Sequence, residues 1–265
     1  RVCRKYGGSE ESALCHLYES EKRLENIETA ELREKELTAD LLVVREDYLN
    51  AAFSLSKLRQ AAAKRFQQNV VKNLADVALE KARFEVRFQT PSDTETKDQS
   101  ADAFFAPAGI DQIEFYFSAN VGESPRPLGK VASGGEASRL MLILKTTAGM
   151  RDAAKTAVFD EIDAGIGGRV AEAVGAKLKD LAADQQVLCV THQPQVAAQA
   201  DNHLLVEKTM GKNRTTIGLR PLDDAERIEE IARMLAGETV TEAARENARE
   251  LLGLRGAEKS ISRKI

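Results

Sequence analysis

Residues 156–161 read Thr-Ala-Val-Phe-Asp-Glu, a short apolar stretch followed at once by two carboxylates. Residues 187–192 read Val-Leu-Cys-Val-Thr-His, a second apolar stretch, which ends in a histidine. The two patterns predict buried strands over 156–160 and 187–191, and helical patterns precede and separate them. Strands that alternate with helices favour a parallel sheet, which carries its functional loops at the carboxyl ends of the strands. The sequence therefore predicts an α/β fold.

The other predicted elements complete this alternation and end in a hairpin and two helices. A polar loop rich in Asp, Ser and Thr, at about 90–109, separates the two strands that come first in the chain, 84–88 and 113–117. In chain order the remaining elements are strands over 84–88 and 113–117, helices over 133–149 and 168–183, hairpin strands over 204–208 and 215–220, and helices over 224–236 and 240–252.

The acidic pair that ends the first strand suits nucleotide hydrolysis. In such a site Asp160 lies near Mg²⁺ and Glu161 lies beside the attacking water. His192, at the end of the second strand, could donate a hydrogen bond to a terminal phosphate. Taken separately, the acidic pair is also compatible with simple turn formation, and His192 with a structural histidine.

A third motif opens the helix over 133–149. Residues 131–136 read Val-Ala-Ser-Gly-Gly-Glu, in which Ser133 is a candidate N-cap with Glu136 three residues later. The two glycines allow backbone amides to approach an anion at the positive end of a helix. As a capping box alone, the motif would mark only the start of a helix.

Together, and in their order along the chain (131–136, 156–161 and 187–192), the three motifs resemble the second lobe of ABC-type P-loop ATPase heads. The resemblance implies that Asp160 holds Mg²⁺, that Glu161 is the catalytic base and that His192 contacts the γ-phosphate. It also implies a set of residues that serve the nucleotide bound on an opposite head or face that head in the D-loop: Ser133, Gly134, Gly135, Glu136 and Asp163.

A long helix precedes these motifs. Residues 9–90 contain neither glycine nor proline, which favours uninterrupted helix. Apolar residues within it alternate spacings of four and three, the heptad pattern of a coiled coil. An amphipathic helix packed against one antiparallel neighbour in a compact domain is the alternative. The eight residues of this seam are Leu37, Leu41, Val44, Tyr48, Ala51, Leu55, Leu58 and Ala62.

A coil that runs directly into the signature lobe resembles the SMC-like branch of these ATPases, and in particular its bacterial DNA repair members. The resemblance implies two segments, a descending coiled-coil arm over 1–75 and the second lobe of the ATPase head over 76–265. Ala132 and Ala137 depart from the general signature pattern. The motif runs that carry the resemblance begin at Arg4, Ala82, Arg126, Phe159, Val190 and Ile231.

The implied function is ATP-dependent DNA double-strand break repair and recombination. ATP would join two heads into a homodimer and hydrolysis would separate them, with double-stranded DNA or DNA ends and recombination proteins as partners. No Gly-x-x-x-x-Gly-Lys-Ser/Thr phosphate loop occurs in the sequence. The chain is therefore expected to supply half of an ATP and Mg²⁺ site, which the amino-terminal lobe of the same protein completes.

Composition bounds these expectations. The 265 residues carry a net charge of −4, which argues against nucleic-acid binding by bulk positive charge. Three cysteines in no metal or disulfide spacing, and no apolar run of about 18 residues or more, predict a cytoplasmic protein without a membrane span. The resemblance to DNA repair proteins implies that it is associated with the nucleoid.

Two alternative functions stay open from the sequence. The chain could belong to a coiled-coil clamp that bridges DNA without hydrolysing ATP, although Glu161 and His192 speak against this. It could also belong to an SMC-like ATPase that acts with a nuclease partner, which would be invisible in this chain. Coupling to transport is the least favoured function, because the coil is in the wrong place.

Overall fold

The computed structural model describes residues 2–92, 105–131, 134–149, 156–210, 215–237 and 239–254. The chain divides into two compact units, with the divisions after Gln60, Phe88 and Gln112. The first unit comprises the chain up to Gln60 and the segment from Gln89 to Gln112, and the second comprises the rest. The predicted boundary at residue 75 between an arm and a head stays a prediction.

The predicted long helix is present. After a short helix α1 (Val2–Lys5), helix α2 (Glu10–Leu74) runs for 65 residues, or roughly 100 Å at 1.5 Å per residue. The Ser9 hydroxyl accepts a hydrogen bond from the Ser12 amide, 3.1 Å, and so caps its first turn. A 3-10 turn (Ala75–Val77) and Ala78 in the left-handed region end it.

The predicted seam of α2 is only partly covered. Leu37, Leu41, Val44 and Leu58 are all more than half exposed. In the first unit Tyr48 instead contacts the chain's own segment from residue 105, because its hydroxyl donates to the Ala106 carbonyl, 2.8 Å. A coiled-coil partner for the exposed residues stays a prediction.

Asp111 fastens that segment to α2. Its carboxylate accepts hydrogen bonds from the hydroxyls of Ser56, 2.6 Å, and Thr90, 2.8 Å, and from the Arg59 guanidinium, 3.4 Å. Burial raises the pKa of Asp111, but these hydrogen bonds outweigh it and hold the pKa below its usual value.

The described residues of the second unit form three small sheets. Strands β1 (Arg83–Gln89), β2 (Gln112–Ser118) and β3 (Arg126–Pro127) form the first, in the order β1-β2-β3. Strands β4 (Thr156–Phe159) and β5 (Gln186–Cys189) pair in parallel, as predicted, and β6 (Leu204–Met210) pairs antiparallel with β7 (Thr215–Pro221).

Among the described residues of the second unit, four helices follow the predicted order: α3 (Gly135–Ala148), α4 (Gly168–Ala182), α6 (Asp224–Ala236) and α7 (Glu242–Leu251). A short helix between α4 and α6, α5 (Pro194–Ala197), was not predicted. A capping box between Asp223 and Glu226 starts α6. The predicted elements and the α/β class are therefore confirmed. None of the described helices has the length and apolarity to cross a bilayer.

The parallel pair is apolar on both faces. Ala157 and Phe159 of β4 point into the main core, which α3, α4 and the end of α2 complete. On the opposite face Val158, Leu188 and Val190 are 66%, 46% and 63% exposed. Parallel strands are ordinarily covered on both sides, so this open apolar face is unusual.

Gly175 lets α4 pack closely against α5. A Cβ at this position would lie 2.9 Å from Gln199 Cγ and 3.1 Å from the Gln195 carbonyl oxygen. We expect Gly175→Ala to lower the free energy of unfolding, because overpacking costs about 1–3 kcal/mol and the gain in helix propensity is at most about 1 kcal/mol. Urea denaturation of both chains measures the difference. Gly129→Ala, where a Cβ meets nothing within 4 Å, is the matched control; equal effects of the two changes would contradict close packing at Gly175.

Candidate nucleotide-hydrolysis site

The predicted acidic pair forms a tight turn at the end of β4. Asp160 and Glu161 are both exposed, and Asp160 Oδ1 accepts a hydrogen bond from the Glu161 amide, 2.9 Å. Glu161 has φ +56°, in the left-handed region that residues other than glycine seldom adopt. Such a conformation costs about 1–3 kcal/mol and persists only where neighbouring groups enforce it.

Helix α3 enforces this turn from one side. Ser138 Oγ donates to the Asp160 carbonyl, 2.9 Å, and Arg139 Nη1 donates to the carbonyls of Ala164, 2.9 Å, and Ile162, 3.3 Å. Burial lowers the pKa of the Arg139 guanidinium, against the opposing charge of Glu136. Neither Ser138 nor Arg139 was predicted as a site residue, although both belong to the motif run that begins at Arg126.

Gly135 of the third motif brings α3 close to this turn. A Cβ on Gly135 would lie 2.8 Å from the Glu161 carbonyl oxygen and 3.0 Å from the Ala164 Cβ, so no other residue fits without movement. Gly134, with φ +155°, occupies the N-cap position, and Glu136 is exposed in the first turn. The capping-box pattern predicted Ser133 as the N-cap, whereas the structure has Gly134 in that position. Ser133 itself lies outside the described residues.

Asp163 links the turn to the loop after β5. Its side chain is 3% exposed, and its Oδ2 accepts hydrogen bonds from the Thr191 hydroxyl, 2.5 Å, and from the amides of His192, 2.8 Å, and Gln193, 3.2 Å. His192 Nδ1 lies 3.1 Å from the same oxygen, and the imidazole is 72% exposed. The Asp163 carboxylate therefore binds the loop after β5 of its own chain.

The structure thus joins the three motifs around one turn. Asp160, Glu161 and His192 are exposed near the carboxyl ends of β4 and β5, and Gly134 and Gly135 begin α3 beside them. Such a group offers two carboxylates to a metal ion and an attacking water, and an imidazole and a glycine-rich helix start to a phosphate.

The side chains at this turn fit Mg²⁺ only if a bound nucleotide supplies further ligands to the ion. In the part of the chain that the structure describes, no three His, Cys, Asp or Glu side chains converge as a metal cluster. Asp160 supplies one exposed carboxylate, and one of its oxygens already accepts from the Glu161 amide. Mg²⁺ is commonly held by one or two carboxylates together with substrate phosphates and water, so this residue fits an ion that arrives with a nucleotide.

Comparison with known proteins gives a consistent relationship. No family model matches the chain. It is 39% identical to DNA repair protein RecN of Halalkalibacterium halodurans over 96% of its length, and 35% identical to DNA repair protein RecN of Bacillus subtilis over 94%. The chain spans 44% of the length of each of these relatives. A crystal structure of an Smc head domain with a coiled coil and joint, from Pyrococcus yayanosii, is 15% identical and superposes with a TM-score of 0.47, covering 84% of this chain and 38% of that one.

Cys189, which ends β5, offers a test of the charges around the turn. Burial, together with the charges of Asp163 and Asp160, raises the pKa of its thiol to about 12. At pH 8 only about one such thiol in 10⁴ is ionised, and the thiolate is the reactive form.

We therefore expect iodoacetamide at pH 8 to label the exposed Cys15 and to leave Cys189 unmodified in the folded chain. Peptide mass mapping measures both sites, and the chain unfolded in urea, in which both become labelled, is the control. As the pH is raised toward the pKa of Cys189, its labelling rate should increase about tenfold for each pH unit. Equal labelling of the two cysteines in the folded chain would contradict the described surroundings of Cys189.

Proposed function

We propose that this RecN-like chain is the carboxyl-terminal lobe of an SMC-like ATPase that acts in DNA double-strand break repair and recombination. One observation carries the proposal: a buried carboxylate, Asp163, joins the turn that presents Asp160 and Glu161 to the loop that presents His192. The motifs predicted to hydrolyse a nucleotide therefore lie together on a single scaffold. The similarity to DNA repair proteins supports the biological role.

The open apolar face supports the view that this lobe is half of a head. Val158, Leu188 and Val190 expose apolar surface where a parallel sheet needs a covering layer. The chain also lacks a phosphate loop. We assign both missing parts to the amino-terminal lobe of the same protein, which would cover this face and bring the loop that holds the ATP phosphates.

The residues at the turn have distinct roles in this proposal. Asp160 would hold Mg²⁺, which neutralises phosphate charge when it is bound. Glu161 would accept a proton from the attacking water as general base, and His192 would donate a hydrogen bond to the γ-phosphate. The reaction then depends mainly on positioning and on charge neutralisation.

The start of α3 would serve a second nucleotide. Ser133, Gly134, Gly135 and Glu136 would face the ATP held on an opposite head, and the loop that contains Asp163 would lie at the junction. Two heads would then enclose two ATP molecules, so that binding forms a homodimer and hydrolysis releases it.

The arm and the partners follow from the same proposal. The exposed seam residues of α2 suit a second helix of a coiled coil, as in a descending arm over residues 1–75 that joins a head over 76–265. Double-stranded DNA or DNA ends and recombination proteins are the proposed partners, in the cytoplasm at the nucleoid.

The first test is ATP turnover by this chain assembled with the amino-terminal lobe of its own protein. We expect Glu161→Gln to lower turnover by about a hundredfold, within the range for loss of a general base, and to leave ATP-driven dimerisation intact. Phosphate release and light scattering measure the two properties, with Glu80→Gln, an exposed glutamate between α2 and β1, as the control. Unchanged turnover in Glu161→Gln would remove this residue from its role. An assembled wild-type protein that binds ATP and does not hydrolyse it would favour the DNA-bridging clamp.

A second test concerns the incomplete site. Because the phosphate loop is missing from this sequence, we expect the 265-residue chain to bind ATP no more tightly than millimolar. Isothermal titration with Mg²⁺ present measures this, and the assembled protein, which should bind in the micromolar range, is the control. A micromolar site on the chain by itself would overturn the half-site assignment.

A further inference from the structure

We propose that Asp163 is a positioning residue for His192 of its own chain, and that its carboxylate does not contact nucleotide. The proposal rests on the proposed function, since it assigns how the imidazole is presented to a γ-phosphate. It replaces the expectation that Asp163 acts across a head dimer.

Burial argues against a direct contact between Asp163 and a nucleotide. The residue is 2% exposed, and one carboxylate oxygen, Oδ2, accepts three hydrogen bonds and lies 3.1 Å from His192 Nδ1. A buried carboxylate needs such compensation, because removing a charge from water costs several kcal/mol. To reach a ligand on another subunit through Oδ2, Asp163 would have to leave these three donors unsatisfied.

The same contacts fix both the backbone and the ring of His192. Oδ2 accepts from the amides of His192 and Gln193, which holds the loop, and it lies 3.1 Å from Nδ1, which holds the ring. A ring that donates from Nδ1 to a carboxylate has a fixed tautomer and orientation. The side-chain amide nitrogen of Gln193, Nε2, lies 3.4 Å from His192 Nε2 and donates a hydrogen bond to the Ile166 carbonyl, 3.0 Å.

Because Nδ1 faces Asp163, Nε2 lies on the exposed side of a ring that is 72% exposed. Nε2 is therefore the atom available to a phosphate oxygen. The neutral Nδ1–H ring has no hydrogen on Nε2, so the ring would donate to that oxygen as the imidazolium, which carries a hydrogen on each nitrogen and would lie between two anions, Asp163 and the phosphate. Loss of Asp163 would release the ring without removing it, and the turnover step would lose an oriented donor.

The first experiment measures the tautomer of His192 by long-range ¹H–¹⁵N correlation in the histidine-labelled 265-residue chain, at alkaline pH where the ring is neutral. We expect the Nδ1–H form in the wild type and in Asp163→Asn, whose amide oxygen still accepts. Asp163→Ala should return the ring to the Nε2–H form that dominates in water. An Nε2–H ring in the wild type would overturn the proposal.

The second experiment is a double-mutant cycle in ATP turnover by the assembled protein. We expect Asp163→Ala to lower kcat by about 10- to 100-fold, the range for loss of a group that orients a histidine ligand, with KM for ATP within about twofold. Asp163→Asn should recover most of that loss. In a His192→Ala background the same Asp163 change should cost less than about threefold, because residues that act through one another are not additive.

Thr156→Ala is the matched control. Thr156 Oγ1 donates to Gln186 Oε1, 2.7 Å, between the other ends of β4 and β5, and touches neither Asp163 nor His192. Its effect should be small and additive with His192→Ala. Full additivity of Asp163→Ala with His192→Ala would show a merely structural role and overturn the proposal.

Failure of this proposal and of the proposed function are distinguishable. If the assembled wild type hydrolyses no ATP, the proposed function fails, and the tautomer of His192 still decides whether Asp163 holds its ring. If Asp163→Ala does not fold, the wild-type tautomer and the Asp163→Asn kinetics decide the proposal.

Discussion

The arrangement of the site depends on one turn, residues 160–164, which is held by hydrogen bonds from two sides. Helix α3 binds three of its carbonyls through Ser138 and Arg139, and the loop after β5 binds the Asp163 carboxylate. Glu161 could not keep its left-handed backbone in an unrestrained loop, since that conformation is unfavourable for a residue with a Cβ. The position of the exposed carboxylates therefore follows from contacts that are themselves buried.

Buried charge is compensated differently on the two sides of this turn. Asp163 accepts three hydrogen bonds on one oxygen, so its desolvation is offset by charge-assisted hydrogen bonds. Arg139 donates to two carbonyls, and its buried Nε has no hydrogen-bond partner among the described residues. Burial accordingly lowers the pKa of its guanidinium. Arg139 and Asp163 thus hold the backbone of the turn and of the loop after β5 in place, while Glu161 and His192 stay exposed.

The second unit buries one apolar face of its parallel strands and leaves the other open. Ala157 and Phe159 are buried in the core, whereas Val158 and Leu188 expose much of their surface. At about 25 cal/mol per Å² of apolar surface, covering such a face is a substantial favourable term. A covering lobe would therefore stabilise this unit and complete its site through the same contact.

The sequence by itself determined the order and type of the elements, because apolar periodicity and helix breakers act locally: β4, β5 and the long α2 lie where the pattern predicts them. It also supplied the residues that we propose for the chemistry, since Asp160, Glu161 and His192 follow apolar strands. Only the tertiary structure decided that Gly134 caps α3, that Ser138 and Arg139 hold the turn, and that Asp163 faces inward. These outcomes depend on contacts between residues about 20 to 30 positions apart in the chain, and such contacts leave no period in a sequence.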